Sequence, residues 1–325
     1  MDKNTTEMDK NTTDIWLVGT GLMGIEYSKV LKELNVPFLP IGRGPDSALE
    51  YQNQIGVKPV QGGLSNFLLG VPNIPSAVIV AVGVDLLTDI TLELLCYGVK
   101  KILVEKPGVS RPVDIERIVA KTEALGAEVF VAYNRRFYAS VREAQKIIEL
   151  EGGVTSFLFE FTEWSHLIAG LTKPAVEFET WFLCNSTHVV DTAFFLGGKP
   201  KDIVCFKKGG LPWHQTSSIF SGAGISENDA LFSYSANWEG PGRWVIEVCT
   251  KMSRFIFRPL EKLQVQKIGS IVIDEISIED NMDVEFKPGF YLQTKNFILG
   301  DYRGMCTIQD QNYLINNVYK SMSGY

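Results

Sequence analysis

The first part of the chain alternates short apolar runs with segments of helical periodicity. The runs lack the polar alternation of a half-exposed strand, which is typical of parallel strands that are buried on both faces. The helical segments lead to glycines such as Gly98 and Gly126, which can end a helix, and Asp85 is placed to cap the helix that Gly98 ends. The apolar runs are Ile15–Val18, Phe38–Ile41, Ala77–Val82, Ile102–Val104 and Val129–Ala132. This order predicts right-handed β-α-β units and a doubly wound parallel sheet over residues 15–133.

The pattern changes near residue 134. After a helix over Ala139–Leu150, longer strands follow with one main helical pattern, Trp181–Leu196, between them. Strands are predicted at residues 157–163, 203–206, 230–237, 244–249, 254–257 and 271–276, and helices at 290–298 and 308–322. We therefore expect an α+β domain over residues 134–325 with a large, mainly antiparallel open sheet, and a last helix that packs back on the first domain. An open sheet face needs a cover, which predicts a homodimer or homotetramer through this sheet.

Composition excludes several classes of protein. The 325 residues carry a formal charge of −7 with no basic block, so nucleic acid is not an expected partner. No apolar run approaches the roughly 18 residues of a membrane helix. Five scattered cysteines without a C-x-x-C pair favour a reducing cytoplasm over a disulfide framework or a zinc site, and we predict no bound metal. Residues 1–14 repeat one polar heptapeptide (MDKNTTE, MDKNTTD), which predicts a disordered leader and an alternative start at Met8.

A glycine pattern follows the first predicted strand and opens the first helix. It reads Gly19-x-Gly21-x-x-Gly24, with Leu22 and Met23 inside it. In this context the glycines permit a tight turn, close approach of a pyrophosphate and close helix–strand packing, and the phosphates lie on the helix N-terminus. The pattern favours a Rossmann dinucleotide-binding domain over a plain turn.

The second strand indicates which dinucleotide is preferred. No acidic residue stands at its end to bind the ribose hydroxyls; instead Arg43 lies between two glycines and Ser47 follows closely. An arginine there can pair with a 2′-phosphate, which favours NADP, whereas Asp46 keeps NAD open.

Lysine and histidine supply the candidate acid–base groups. Glu105-Lys106-Pro107 ends a buried strand at the edge where α/β sheets bind ligands, and an exposed lysine at a strand end is the alternative. The chain has only three histidines, His166, His188 and His214. His188 shares a helix face with Asp191, an arrangement that fits mutual orientation. A histidine near neutrality can give or take the proton that accompanies hydride transfer.

Four motifs in order resemble the glucose–fructose oxidoreductase / inositol dehydrogenase / MocA family. They are the fingerprint at Gly19–Gly24, Val104–Pro107, Tyr133–Phe137 and Thr187–Asp191. The resemblance implies a Rossmann domain followed by an open-sheet domain, and NAD(P)-dependent oxidoreduction of sugars, sugar derivatives or cyclitols. It also implies that Lys106, which follows Glu105 at the cofactor site, contacts both the substrate and the nicotinamide. The same resemblance implies that His188 is the general acid and base.

The sequence departs from this family at several positions, among them Ser186 in place of a common glycine, and it adds a pair of arginines. Cys184 stands where members commonly carry an aspartate, so a permanent negative charge is missing from the expected relay. This keeps open an alternative function, an NAD(P)-binding sensor without turnover. Arg135 and Arg136 follow Tyr133 and suggest an anionic substrate such as a sugar nucleotide, although solvated or ion-paired arginines are the alternative. We expect Tyr133, Arg135, Arg136 and Cys184 to line the substrate side.

Overall fold

The computed structural model describes residues 15–324, so the predicted leader and the alternative start lie outside the described residues. The strands are β1 (Ile15–Val18), β2 (Phe38–Ile41), β3 (Val78–Val80), β4 (Lys101–Glu105), β5 (Glu128–Ala132), β6 (Ser156–Glu160), β7 (Pro200–Lys208), β8 (Ile219–Ser226), β9 (Leu231–Asn237), β10 (Val245–Cys249), β11 (Ser253–Phe257), β12 (Gln264–Lys267), β13 (Ile273–Glu275) and β14 (Cys306–Thr307).

The helices connect and cover these strands. They are α1 (Leu22–Glu33), α2 (Pro45–Ile55), α3 (Gly63–Leu68), α4 (Leu87–Tyr97), α5 (Ile115–Leu125), α6 (Ala139–Leu150), α7 (Ser165–Ile168), α8 (Ala175–Glu179), α9 (Thr187–Gly197), α10 (Asn281–Glu285), α11 (Phe290–Leu299), α12 (Ile308–Leu314) and α13 (Lys320–Ser323). Asp85 does not cap α4, because it lies inside a 3-10 turn over Val84–Leu86 that precedes the helix.

The first sheet has the order β14-β5-β4-β3-β1-β2. The five strands predicted from the sequence, β1 to β5, run parallel, as the unbroken apolar runs indicate. The two-residue strand β14 pairs antiparallel with β5. All residues of β1 and β3 are buried, which is why these segments contain almost no polar side chains. The doubly wound sheet predicted from the sequence is confirmed.

The second sheet has the order β13-β12-β11-β10-β6-β9-β8-β7 and is antiparallel except where β6 pairs with β9. This confirms the large, mainly antiparallel sheet. Strand β8 was not predicted from the sequence, because it contains Gly222 and Gly224, and glycines weaken a strand. A Cβ atom at Gly222 would lie 2.5 Å from the ring of Tyr234 on β9, so the glycine makes room for that ring.

Helix α9 covers one face of the second sheet. It contacts β6 and β10, and ten of its eleven residues are buried. The C-terminal segment reaches both sheets, because α12 lies against α5 and β5 whereas α13 contacts β7 and β8. No helix in residues 15–324 is long and apolar enough to span a membrane.

Candidate active site

The glycine loop has two tight positions and one open position. A Cβ atom on Gly19 would lie 2.2 Å from the carbonyl oxygen of Ala81, and one on Gly24 would lie 2.0 Å from that of Gly19. Gly19 also has a φ of 120°, which side-chain-bearing residues rarely adopt. A Cβ atom on Gly21 would meet nothing within 4 Å. Gly21 precedes α1, so the free N–H groups of the first helical turn face this open space.

A cavity of about 490 Å³, here called the glycine-loop cavity, lies at the carboxyl ends of β1, β2 and β3. Gly19, Gly21, Arg43 and Ser47 all line it. Of the neighbouring predicted residues, Leu22 is 81% exposed, and the sulfur of Met23 lies 3.3 Å from the Nζ atom of Lys287. The structure thus brings the predicted phosphate loop and the predicted ribose-side residues to one cavity.

Arg43 and Ser47 differ in their surroundings. The Ser47 hydroxyl donates to the carbonyl of Gly44 at 3.2 Å and accepts from the Thr20 hydroxyl at 3.4 Å, which holds the second loop against the first. Arg43 is exposed and makes no ion pair within residues 15–324. Its guanidinium is therefore free to meet an anion at the edge of the glycine-loop cavity.

Two charged residues at the end of β4, Glu105 and the following Lys106, have different surroundings. Glu105 is buried and accepts a hydrogen bond of 2.8 Å from the hydroxyl of Tyr27 on α1, and burial raises the pKa of its carboxyl. Lys106 extends away from the first sheet and donates to the backbone carbonyl of Cys184. Burial lowers the pKa of Lys106, and the negative charge of Glu105 opposes that shift. Lys106 therefore joins the edge of the first sheet to the segment that leads into α9.

A widened helical turn carries that segment. Residues Phe182–Ser186 form a π-helical turn directly before α9, a feature often found at functional sites. Cys184 lies in this turn, 2% exposed, with its sulfur 3.2 Å from the Thr180 hydroxyl. Burial raises the pKa of the Cys184 thiol to about 11, so the thiol is neutral at physiological pH and supplies no charge in place of an aspartate.

His188 lies in the first turn of α9, 7% exposed, between aromatic rings. Its ring centroid is 6.4 Å from that of Tyr133 and 6.2 Å from that of Trp244. Its Nδ1 atom is buried and has no hydrogen-bond partner among the described residues. Burial, followed by the positive charges of Arg135, Lys106 and Lys287, lowers the pKa of His188 well below its usual value. The imidazole is neutral at physiological pH.

The mutual orientation of His188 and Asp191 expected from the sequence is wrong. The Asp191 carboxylate instead binds the guanidinium of Arg136 through two hydrogen bonds, from Nε at 2.8 Å and from Nη2 at 2.6 Å. Both side chains are buried. The structure thus places Arg136, predicted on the substrate side, in an interior ion pair.

Arg135 and Tyr133 have separate surroundings on the same turn. The hydroxyl of Tyr133 accepts a hydrogen bond of 3.1 Å from Gln311, whose amide also donates to the carbonyl of Pro107 at 2.8 Å. The guanidinium carbon of Arg135 lies 4.9 Å from the ring centroid of Trp244, and its Nε atom is buried without a partner among the described residues. Tyr133 therefore supports the loop after Lys106, whereas Arg135 keeps an unused donor.

Two charged residues at the site have no counterpart among the sequence predictions. Glu163, 1% exposed, accepts hydrogen bonds from the Asn185 amide at 2.9 and 3.0 Å and from the Ser186 hydroxyl at 2.8 Å. Burial raises the pKa of Glu163, and the positive charges of Arg243 and Lys106 oppose that shift. Lys287 precedes the Pro288-Gly289-Phe290 turn, and its charge acts on Glu105 and His188. The signal in the sequence for Glu163 was its place at the end of a predicted strand.

The other histidines have structural surroundings or lie on the surface. Both ring nitrogens of His214 are within hydrogen-bond distance of a partner, the carbonyl of Phe178 at 3.0 Å and the hydroxyl of Thr216 at 2.9 Å. His166 is exposed. Among residues 15–324, no group of three or more histidine, cysteine or acidic side chains is arranged to hold a metal ion.

Comparison with solved structures identifies proteins of the same fold. Levoglucosan dehydrogenase bound to NADH and levoglucosan superposes with a TM-score of 0.75 at 17% identity over 96% of each chain. A protein assigned as an NADPH-dependent oxidoreductase from Desulfitobacterium hafniense gives 0.77 at 15% identity, covering 97% of this chain and 95% of its own. UDP-N-acetylglucosamine 3-dehydrogenase GnnA from Acidithiobacillus ferrooxidans gives 0.73 at 10% identity, covering 96% of this chain and 98% of its own.

By sequence, neither a protein-family model nor a curated protein matches the chain. The likeness is therefore one of fold, and it extends over both sheets because nearly the whole of each chain superposes. At the level of fold the prediction from the four motifs is confirmed: the chain shares the two-part fold of levoglucosan dehydrogenase and of GnnA.

Proposed function

We propose that this protein is an NAD(P)-dependent oxidoreductase that transfers hydride between a nicotinamide and a hydroxyl or keto group of a sugar, sugar derivative or cyclitol. The observation that carries the proposal is the contact of Lys106 with the carbonyl of Cys184, four residues before His188. Lys106 follows β4 of the first sheet and His188 lies on α9, which covers the second sheet. The charge of Lys106 contributes to the lowered pKa of His188, which supports a site that uses both side chains. The named activities of proteins with this fold support the same reaction class.

The residues of the glycine-loop cavity fit a dinucleotide. The open space over Gly21 is the position that a pyrophosphate requires, whereas Gly19 and Gly24 are closed by backbone. A bound nicotinamide nucleotide supplies the hydride donor or acceptor. The first turn of α1 would hold the phosphates through its free N–H groups, and Arg43 would face the adenosine ribose.

Lys106 and His188 divide the acid–base work in this proposal. The ammonium of Lys106 stabilises negative charge that develops on the reacting oxygen. Because His188 is neutral, its imidazole can take the proton from an alcohol, and the protonated ring returns it in the reverse direction. The Nδ1 atom is enclosed. Proton exchange with substrate therefore falls to Nε2.

Glu163 completes the site in place of the charge that is absent at Cys184. Its carboxylate accepts hydrogen bonds from Asn185 and Ser186, the two residues after Cys184, and its charge interacts with that of Lys106. We propose that Glu163 positions the segment before His188 and orients a substrate hydroxyl toward Lys106.

Turnover tests this assignment. With a panel of sugars, cyclitols and sugar nucleotides, we expect NAD(P)H formation or consumption by the parent protein and a loss of kcat of about 10²- to 10⁴-fold in Lys106→Met and His188→Asn. Binding of NADH, followed by its fluorescence, should persist in both variants because neither residue lies in the glycine-loop cavity. Undiminished turnover in either variant would contradict the site. Cofactor binding without turnover of any substrate would favour the sensor.

The cofactor preference rests on Arg43. We propose that NADP is preferred because the guanidinium has no ion-pair partner among the described residues and stands where an acid would repel a 2′-phosphate. Arg43→Ala should raise KM for NADP about tenfold and leave KM for NAD nearly unchanged, with Arg117→Ala on α5 as a control. A parent protein that prefers NAD tenfold would overturn this part of the proposal.

We also propose that the protein is a cytoplasmic homodimer or homotetramer that pairs through the second sheet. The described cysteines are all free thiols, which suits a reducing compartment. The sheet face opposite α9 exposes Val204, Phe206 and Leu231, at 55%, 67% and 64%. Light scattering should give an oligomer that Phe206→Glu dissociates. A monomer at micromolar concentration would contradict the pairing.

A further inference from the structure

A second cavity borders the proposed active site on the side of the second sheet. It has a volume of about 330 Å³ and is lined by Arg135, Arg243, Trp244, Arg258 and Glu261, with Pro259 and Leu260. Arg135 comes from the turn after β5, whereas the others come from the start of β10 and the end of β11. These two strands pair antiparallel, with Ile246 opposite Phe257, so the residues just before and just after them emerge at one edge. We call it the arginine cavity.

The charges of the arginine cavity are unbalanced. Three guanidinium groups line it against one carboxylate, that of Glu261, while the buried Glu163 outside the lining acts on Arg135 and Arg243. None of the three arginines takes part in an ion pair within residues 15–324, whereas Arg136, the neighbour of Arg135, is fully engaged. Like charges gathered around one space repel each other unless an anion lies between them.

Unused hydrogen-bond donors belong to the same residues. The Nε atom of Arg135 and the Nε1 atom of Trp244 are buried and have no partner among the described residues. Buried donors are nearly always satisfied, so an unpaired one indicates a missing acceptor. Aromatic rings also hold the guanidinium groups in place: Trp244 lies 4.9 Å from the guanidinium carbon of Arg135 and 4.5 Å from that of Arg243. Arginine forks fixed in this way suit an oxyanion.

We propose that the arginine cavity binds an oxyanion, a phosphate or carboxylate group, that the sugar substrate carries. This inference rests on the proposed function and names the substrate class within it. The cavity is distinct from the site for the cofactor phosphates, because it shares no lining residue with the glycine-loop cavity. It is close to the proposed acid–base, because Trp244 contacts both Arg135 and His188.

The experiment replaces two exposed arginines of the cavity and compares the activity of each variant on anionic and on neutral sugars. Arg243→Gln and Arg258→Gln should fold normally, since both side chains are exposed, and Arg117→Gln on α5 is the matched control. The probes are D-glucuronate, glucose 6-phosphate, UDP-glucose and D-glucose for turnover, and inorganic phosphate and UDP for binding by calorimetry. We expect each variant to lose about tenfold or more in kcat/KM for the anionic substrate. A neutral sugar should change less than about twofold, because it makes no charge-assisted bond there.

The outcomes separate this inference from the proposed function. If the parent protein prefers the carboxylate-bearing sugar or the phosphate-bearing sugars, and the variants lose that preference, the inference is supported. The preferred sugar then identifies the oxyanion. If D-glucose is turned over as well as the anionic sugars and the variants match Arg117→Gln, the inference is overturned while the proposed function stands. If no sugar is turned over but phosphate or UDP binds and requires Arg258, the proposed function fails and the oxyanion site remains.

Discussion

The guanidinium of Arg136 and the carboxylate of Asp191 form a two-point ion pair inside the protein, with contacts of 2.8 and 2.6 Å. Arg136 belongs to the turn after the first sheet and Asp191 to α9, which covers the second sheet. The pair therefore fixes the helix that carries His188 against the edge of the first sheet that carries Lys106. It also removes Asp191 as a partner for the imidazole.

Breaking this pair on one side should destabilise the fold. Asp191→Leu leaves the Arg136 guanidinium buried and uncompensated, and we expect the free energy of unfolding to fall by about 3–5 kcal/mol. The double variant Arg136→Met/Asp191→Leu should recover much of that loss, because both charges are removed. Urea denaturation followed by circular dichroism measures each value. A double variant as unstable as the single one would show that the pair does not act as a charge pair.

The pH dependence should report the neutral His188. Because burial and the charges of Arg135, Lys106 and Lys287 lower the pKa of this group below its usual 6.5, the base form persists into mildly acid solution. We expect kcat/KM for alcohol oxidation to stay level from neutral pH to below pH 6.5 before it falls. Arg135→Met removes one of these positive charges, so the acid limb should move upward. A parent limb at or above pH 6.5, or one that Arg135→Met leaves in place, would contradict the assignment.

Replacing Glu163 tests the carboxylate that the sequence did not predict. Glu163→Gln keeps the size of the side chain but removes its charge and presents an amide to the Asn185 amide. We expect kcat to fall about 10²-fold with a smaller change in KM for the cofactor, and Glu163→Asp to recover part of the activity. Glu179→Gln, at an exposed ion pair with Arg111, is the control. Unchanged kcat in Glu163→Gln would assign Glu163 a purely structural role.

The glycine loop allows a matched pair of substitutions. Gly24→Ala forces a Cβ atom to 2.0 Å from the carbonyl oxygen of Gly19 and should lower the melting temperature. Gly21→Ala meets no atom within 4 Å and should leave the melting temperature nearly unchanged, but the methyl group occupies space that the pyrophosphate needs. We expect its Kd for NADPH to rise about tenfold or more, from loss of phosphate contacts. Equal cofactor affinity in Gly21→Ala and the parent would place the phosphates elsewhere.

The local sequence pattern was sufficient to predict an element where hydrophobic periodicity alone determined it. Unbroken apolar runs predicted the strands of the first sheet, and the helix over Ala139–Leu150 has the predicted limits. Sequence reasoning missed β8 because its two glycines argue against a strand until Tyr234 is seen to fill the space above Gly222. It also missed β12, a four-residue strand in which Val265 is the one apolar residue.

The sequence by itself determined the order of the elements, the glycine loop and the types of side chain available for chemistry, because each depends on residues adjacent in the chain. Only the tertiary structure decided the partners. It gave Asp191 to Arg136 rather than to His188, and it placed Glu163 against the residues that follow Cys184. It also left Arg135 unpaired beside Arg243 and Arg258. The physical reason is that charge pairing, burial and pKa depend on distances between side chains far apart in the chain, and those distances exist only once both sheets have packed.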